Sequence, residues 1–130
     1  MLAQTLDPNG DPCDLADKWR IHHQLALKLI ALAGALPFGL QIISGFRTAE
    51  QQQELIAAGR GAALDRSTHT SCPATGADVW PLVAVAPQIQ IEFGRVARLV
   101  GLRWGGGSAV NPDTGIPSDW NHVDLGPRAP

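Results

Sequence analysis

A Ser67-Thr-His69 triplet, an aspartate nine residues beyond it at Asp78, and Asp119-Trp-Asn-His122 near the C-terminus hold the residue types of a catalytic metal site. Zinc at a catalytic centre takes three protein ligands, commonly imidazole nitrogen and carboxylate oxygen, and keeps a further position for water or substrate. His69, Asp78 and His122 supply such a set from separate segments. Asp119, three residues before the second histidine, is then placed to act on that water as a general base. The expected cofactor is Zn2+.

The other chemistry-bearing residues have plainer readings. A histidine standing alone near a loop is most often satisfied or solvated. His22-His23 fits that description, because adjacent helical residues do not face one way, and both are expected outside the site. Cys13 and Cys72 are the two cysteines, too few for a disulfide framework or a Cys-rich structural zinc site. Whether they are bonded is open, and Cys72 stands close enough to His69 to be an alternative ligand. Gly105-Gly106-Gly107 lacks the Lys-Ser/Thr and the strand-to-helix context of a phosphate loop. It is expected to give the backbone freedom beside a substrate groove. Asp124, two residues beyond His122 in a strand, shares that residue's face and either orients a ligand or forms a structural pair. Trp80, Trp104 and Trp120 are core residues or walls of the cleft.

These residues need a scaffold of ordinary size. The chain has 130 residues, 45% hydrophobic and 17% charged, which is one domain with enough apolar surface for a real core. A net charge of −2 and a pI near 6.0 give no electrostatic footprint for nucleic acid. No apolar run approaches the roughly 20 residues of a membrane span. The N-terminus lacks a basic region followed by an apolar stretch, so synthesis in the cytoplasm without a signal peptide is expected, as is a monomer.

Residues 1–12 read as an extended lead-in. From Asp14, apolar positions including Leu15, Trp19, Ile21, Leu25, Leu29 and Leu32 predict a first helix ending near Gly34 and Pro37. Residues 39–46 read as a strand. Thr48-Ala-Glu-Gln51 has capping-box form and predicts a helix to about Ala58. Residues 59–73 read as a long loop and 74–80 as a strand closed by Pro81. Pro87 suits the first turn of a third helix that stops at Gly101. Strands at 102–104 and 120–125 flank a glycine-rich loop. The expected fold is α+β: a single domain over residues 1–130, with a mostly antiparallel central sheet and about three flanking helices.

Ser44-Gly45-Phe46-Arg47-Thr48 with Gln51 to Gln53, then Ser67-x-His69, Gly76-Ala77-Asp78, Trp104-Gly-Gly and Asp119-x-x-His122-Val-Asp resembles the zinc D,D-peptidase family, with its Hedgehog/DD-peptidase-like fold. That family includes D-Ala-D-Ala carboxypeptidases and phage L-alanyl-D-glutamate endopeptidases. The resemblance spans roughly residues 42–126, and its motifs come in the family's order.

It implies that His69, Asp78 and His122 ligate zinc and that Asp119 is the base. Arg47 would stabilise the developing oxyanion or hold the substrate carbonyl, with Ser67, Gln51 and Trp104 as further substrate contacts. In one respect the chain departs from the pattern. The family carboxylate falls seven residues after the first histidine, where this chain has Gly76, and Asp78 lies two further on. A two-residue insertion around Ser71-Cys72-Pro73 accounts for it, with Asp65 or Cys72 as alternative third ligands.

The implied substrate is the stem peptide of bacterial peptidoglycan, cut by an endolysin-like L-alanyl-D-glutamate endopeptidase acting on the cell wall as a phage or prophage lysis enzyme. A D-Ala-D-Ala carboxypeptidase is the alternative within the family. A non-catalytic, zinc-bound module that binds cell wall or protein is the alternative from another class.

Overall fold

The computed structural model describes residues 20–59, 67–70 and 73–126. The lead-in, the start of the expected first helix, Cys13, Asp65 and Cys72 lie outside the described residues. The remainder is a small α+β domain of three helices and one four-stranded sheet. In chain order the elements are α1 (His23–Ala35), β1 (Leu40–Ser44), α2 (Ala49–Ala57), β2 (Gly76–Pro81), α3 (Pro87–Leu99), β3 (Arg103–Trp104) and β4 (His122–Asp124).

Helix α1 buries Leu25, Ala26, Leu29, Leu32 and Ala33, the stripe that a 3.6-residue period produces. Its start is not where apolar spacing alone placed it. Arg20 has φ 54°, Ile21 forms a parallel bridge with Ala74, and the side chain of His22 caps the helix by accepting from Gln24 N–H at 3.1 Å. Ile21 is buried by that bridge rather than by a helical face. Helix α2 begins with the expected capping box, Thr48 accepting from the backbone of Gln51 and Gln51 from that of Thr48. Helix α3 has Pro87 at its first turn and buries Phe93, Val96 and Ala97.

The sheet order is β1-β2-β4-β3, with each neighbouring pair antiparallel. Strands β2 and β4 align Gly76 with Asp124, Ala77 with Val123 and Asp78 with His122. Side chains alternate along a strand, so these pairs have two faces. Ala77, Val79 and Val123 join Ile42, Leu29 and Phe93 in one apolar core. Each fully buried large apolar side chain there contributes about 1.5–3 kcal/mol. Asp78, His122 and Asp124 stand on the opposite face. Ala74 belongs to the bridge with Ile21, and β2 starts only at Gly76.

Candidate active site

The polar face of β2 and β4 is the floor of a cleft of about 510 Å³, whose walls are the loop before α2, the Ser67–Thr70 segment, and the loops around Gly106 and Asp119. Backbone bonds join the walls to each other. Arg47 N–H donates to His69 C=O at 2.8 Å, and the N–H groups of Thr75 and Gly76 both donate to Thr68 C=O. His122 N–H donates to Asp119 C=O at 3.0 Å, which sets Asp119 in a tight turn just before the histidine.

His69, Asp78 and His122 converge at the floor, each offering a ligand atom within 4.8 Å of the others. His69 Nδ1 lies 2.7 Å from Gly45 C=O, an acceptor, so it carries the proton and Nε2 presents its lone pair. His122 Nε2 donates to Asp124 Oδ2 at 2.8 Å, with Thr68 Oγ1 at 3.3 Å, and this turns Nδ1 toward Asp78. Three atoms then face one point. His122 Nδ1 is 3.1 Å from Asp78 Oδ1, His69 Nε2 is 3.3 Å from His122 Nδ1, and His69 Nε2 is 3.5 Å from Asp78 Oδ1. A tetrahedral zinc site with bonds of 2.0–2.1 Å has ligand-to-ligand edges of about 3.3–3.4 Å. The donor set fits zinc in both chemistry and spacing. Each imidazole also has its outer nitrogen held by an oxygen acceptor, the usual support of a metal-bound histidine.

The electrostatics follow from the same contacts. Burial opposes ionisation of Asp78, but the hydrogen bond from His122 and the close approach of the two histidine rings outweigh it and hold the carboxyl well below the usual range. Burial likewise disfavours the charged form of His122, yet Asp124 and Asp78 push it up to about 9. The proton so retained bridges His122 Nδ1 and Asp78, and a divalent cation would displace it. Asp124, fully buried, is also opposed by burial, and the hydrogen bonds of His122 and Arg103 keep it ionised. Asp119 sits at the rim. Partial desolvation raises its carboxyl above the ordinary value, and the charge of Asp78 adds to the rise against the pull of the histidines and Arg47. Its side chain makes no hydrogen bond among the described residues.

Two glycines make room for this arrangement. A Cβ on Gly76 would come within 2.0 Å of Thr68 Oγ1 and 2.9 Å of the His122 ring. The position where the family spacing expects a carboxylate therefore cannot hold a side chain here, and Asp78 meets the histidines instead. Gly106, with φ 60°, passes so close to the His122 ring that a Cβ would stand 2.8 Å from it.

Arg47 lines the cleft with Nη2 on Asp78 Oδ2 at 2.7 Å and Nη1 on Gln52 Oε1 at 3.2 Å. Ser67 also lines it, its Oγ accepting from His69 N–H at 3.2 Å. Two expected substrate contacts lie elsewhere. Gln51 is exposed and its side chain serves the α2 cap, while the adjacent Gln52 is buried against the cleft. Trp104 lies outside the cleft lining: its ring packs on Gly94 of α3 with Arg98 5.1 Å over it, and its Nε1 donates to Trp120 C=O at 2.6 Å. Trp80 and Trp120 pair at 5.0 Å, with Phe93 edge-on to Trp120. Thr68 and Gln52, which stand inside the quoted motifs, reach the cleft, and so does Arg103, which was not singled out from the sequence. A pairing of β3 with β4 would have pointed to Arg103, which stands opposite Asp124.

No family model matches the chain, and no curated protein matches it. Among solved structures the chain is similar to the crystal structure of the L-Ala D-Glu endopeptidase ChiX from Serratia marcescens. The TM-score is 0.61 at 20% identity, over 85% of this chain and 86% of that one. At this identity the likeness is one of fold, and it extends over most of both chains.

Proposed function

We propose that this chain is a zinc-dependent peptidase that hydrolyses a stem-peptide bond of bacterial peptidoglycan, the L-alanyl-D-glutamate bond, and acts on the cell wall as a lysis enzyme. The observation that carries the reading is the meeting of His69 Nε2, His122 Nδ1 and Asp78 Oδ1 at the cleft floor, at the edge lengths of a zinc tetrahedron. The ordered motifs of the zinc D,D-peptidase family and the fold shared with an L-Ala D-Glu endopeptidase supply the substrate class.

His69, Asp78 and His122 would hold the zinc, which would supply Lewis acidity toward a carbonyl and toward water when bound. Asp119 takes the water's proton at its carboxylate and returns it to the leaving amine; its raised pKa makes it the better base. Arg47, fixed by Asp78 and Gln52, directs its remaining N–H groups at the developing oxyanion. Ser67 orients the peptide. A binding module would need neither Asp119 nor Arg47 in the cleft.

Replacing the base separates chemistry from metal binding. Asp119→Ala should lower lysis of purified peptidoglycan by about 10²–10⁴-fold, with zinc content and folding unchanged. Lysis at the wild-type rate would show that Asp119 is not the base.

A further inference from the structure

A second arginine stands in the cleft, and the proposed hydrolysis makes no use of it. Arg103 lines the wall opposite Arg47's loop, and its side chain is 31% exposed. Its Nε and Nη2 clasp the two oxygens of Asp124 at 2.8 and 2.9 Å. Asp124 is fully buried and shares its charge with His122, so the guanidinium plane is held from below.

A guanidinium has five N–H groups in a planar fork. One edge of Arg103 is used by Asp124, while Nη1 makes no hydrogen bond among the described residues. It lies beside Gly107, where a Cβ would come within 3.4 Å of it. Arg47 differs, because both its terminal nitrogens are already engaged, by Gln52 and by Asp78. Arg103 therefore brings to the cleft a preorganised pair of donors on a group that matches a carboxylate bidentately. Little side-chain freedom is lost when such a fixed fork binds.

We propose that the outer edge of Arg103 receives the free carboxylate of an acidic residue adjoining the cleaved bond, and so sets specificity for acidic over amidated peptides. This rests on the peptidase reading above. A glutamyl residue linked onward through one of its two carboxyls keeps the other free, and amidation of that group removes both its charge and half its acceptors.

The test uses two synthetic peptides that differ only in that group, carboxylate in one and carboxamide in the other. On the zinc-loaded protein the carboxylate peptide should have a kcat/KM higher by on the order of tenfold, the scale of a charged hydrogen bond at a partly exposed site. Arg103→Gln should bring the ratio close to one, and Arg103→Lys should keep part of it. The carboxamide peptide monitors damage transmitted through Asp124, since that damage lowers both rates alike. Calorimetric titration of the metal-free protein with the acidic and amidated cleavage products should show the same preference, lost in the same variants.

If Arg103→Gln does not fold, the Lys variant and the product titration decide. A wild-type ratio near one, or a ratio unchanged in the variants, overturns the assignment and leaves the peptidase reading standing. Cleavage of neither peptide by the zinc-loaded wild type overturns both.

Discussion

The two faces of β2 and β4 are made from alternate residues of the same short strands, yet different forces hold them. On one face Ala77, Val79 and Val123 are buried among the side chains of α1 and α3. That face needs shape and apolar area, and neighbouring residues of similar volume would serve. On the other face Asp78, His122 and Asp124 are held by hydrogen bonds whose partners come from three other segments: Arg47 from the loop before α2, Thr68 and His69 from the Ser67–Thr70 segment, and Arg103 from β3. Burial there opposes each charge, and only a complete set of partners keeps the groups ionised. A sheet thus isolates a costly polar cluster from the core by a single backbone thickness, and the cluster can be damaged without unfolding the domain.

That separation can be broken from either side. The largest effect is expected from removing a ligand: Asp78→Ala should abolish stoichiometric zinc binding, read by metal analysis, while the circular dichroism stays that of the folded domain. Zinc content equal to the wild type would move the third ligand elsewhere, with Asp65 and Cys72 as the residues to replace next. Leu29→Ala, on the apolar side, should cost about 2–5 kcal/mol in denaturant unfolding and leave the zinc stoichiometry intact. Asp124→Asn should weaken zinc affinity by about 10–100-fold, because the support of His122 is lost but all three ligands remain.

A smaller effect concerns pH. His122 carries a pKa of about 9 in the folded protein against 6.5 for an ordinary histidine. The folded state therefore holds this proton more tightly, and the stability it contributes is complete below pH 6.5 and lost as pH rises through 9. Tm of the chelated protein should fall by several degrees across that window, and zinc should remove the dependence. A flat profile in the chelated protein would show that Asp124 and Asp78 do not hold a proton on His122.

Much of this was legible in the sequence where the signal is local. The Thr48–Gln51 capping box, Pro87 at the start of a helix, and the alternation that puts Asp124 on the face of His122 are all short-range patterns. Facing is harder to read: the cleft is lined by Gln52 and Arg103 rather than by their neighbours Gln51 and Trp104, two of the expected substrate contacts. One residue turns a helix by about 100° and flips a strand completely, and motif positions alone do not fix which way the backbone is turned. The beginning of α1 departs from the apolar spacing for another reason. Ile21 and Leu25 fit one helical stripe, but Ile21 is buried through a bridge to Ala74, a contact 53 positions away that no local pattern contains. The displaced aspartate is explained in the same terms, since Gly76 has no room for any side chain once Thr68 and His122 are in place.

The most direct test of the account is mass spectrometry of muropeptides after digestion of purified peptidoglycan, with and without a chelator. One new pair of products is expected, separated at the L-alanyl-D-glutamate bond, that disappears with the chelator and returns with added zinc. Cleavage that persists after the metal is stripped, or muropeptides left whole by the zinc-loaded protein, would contradict it.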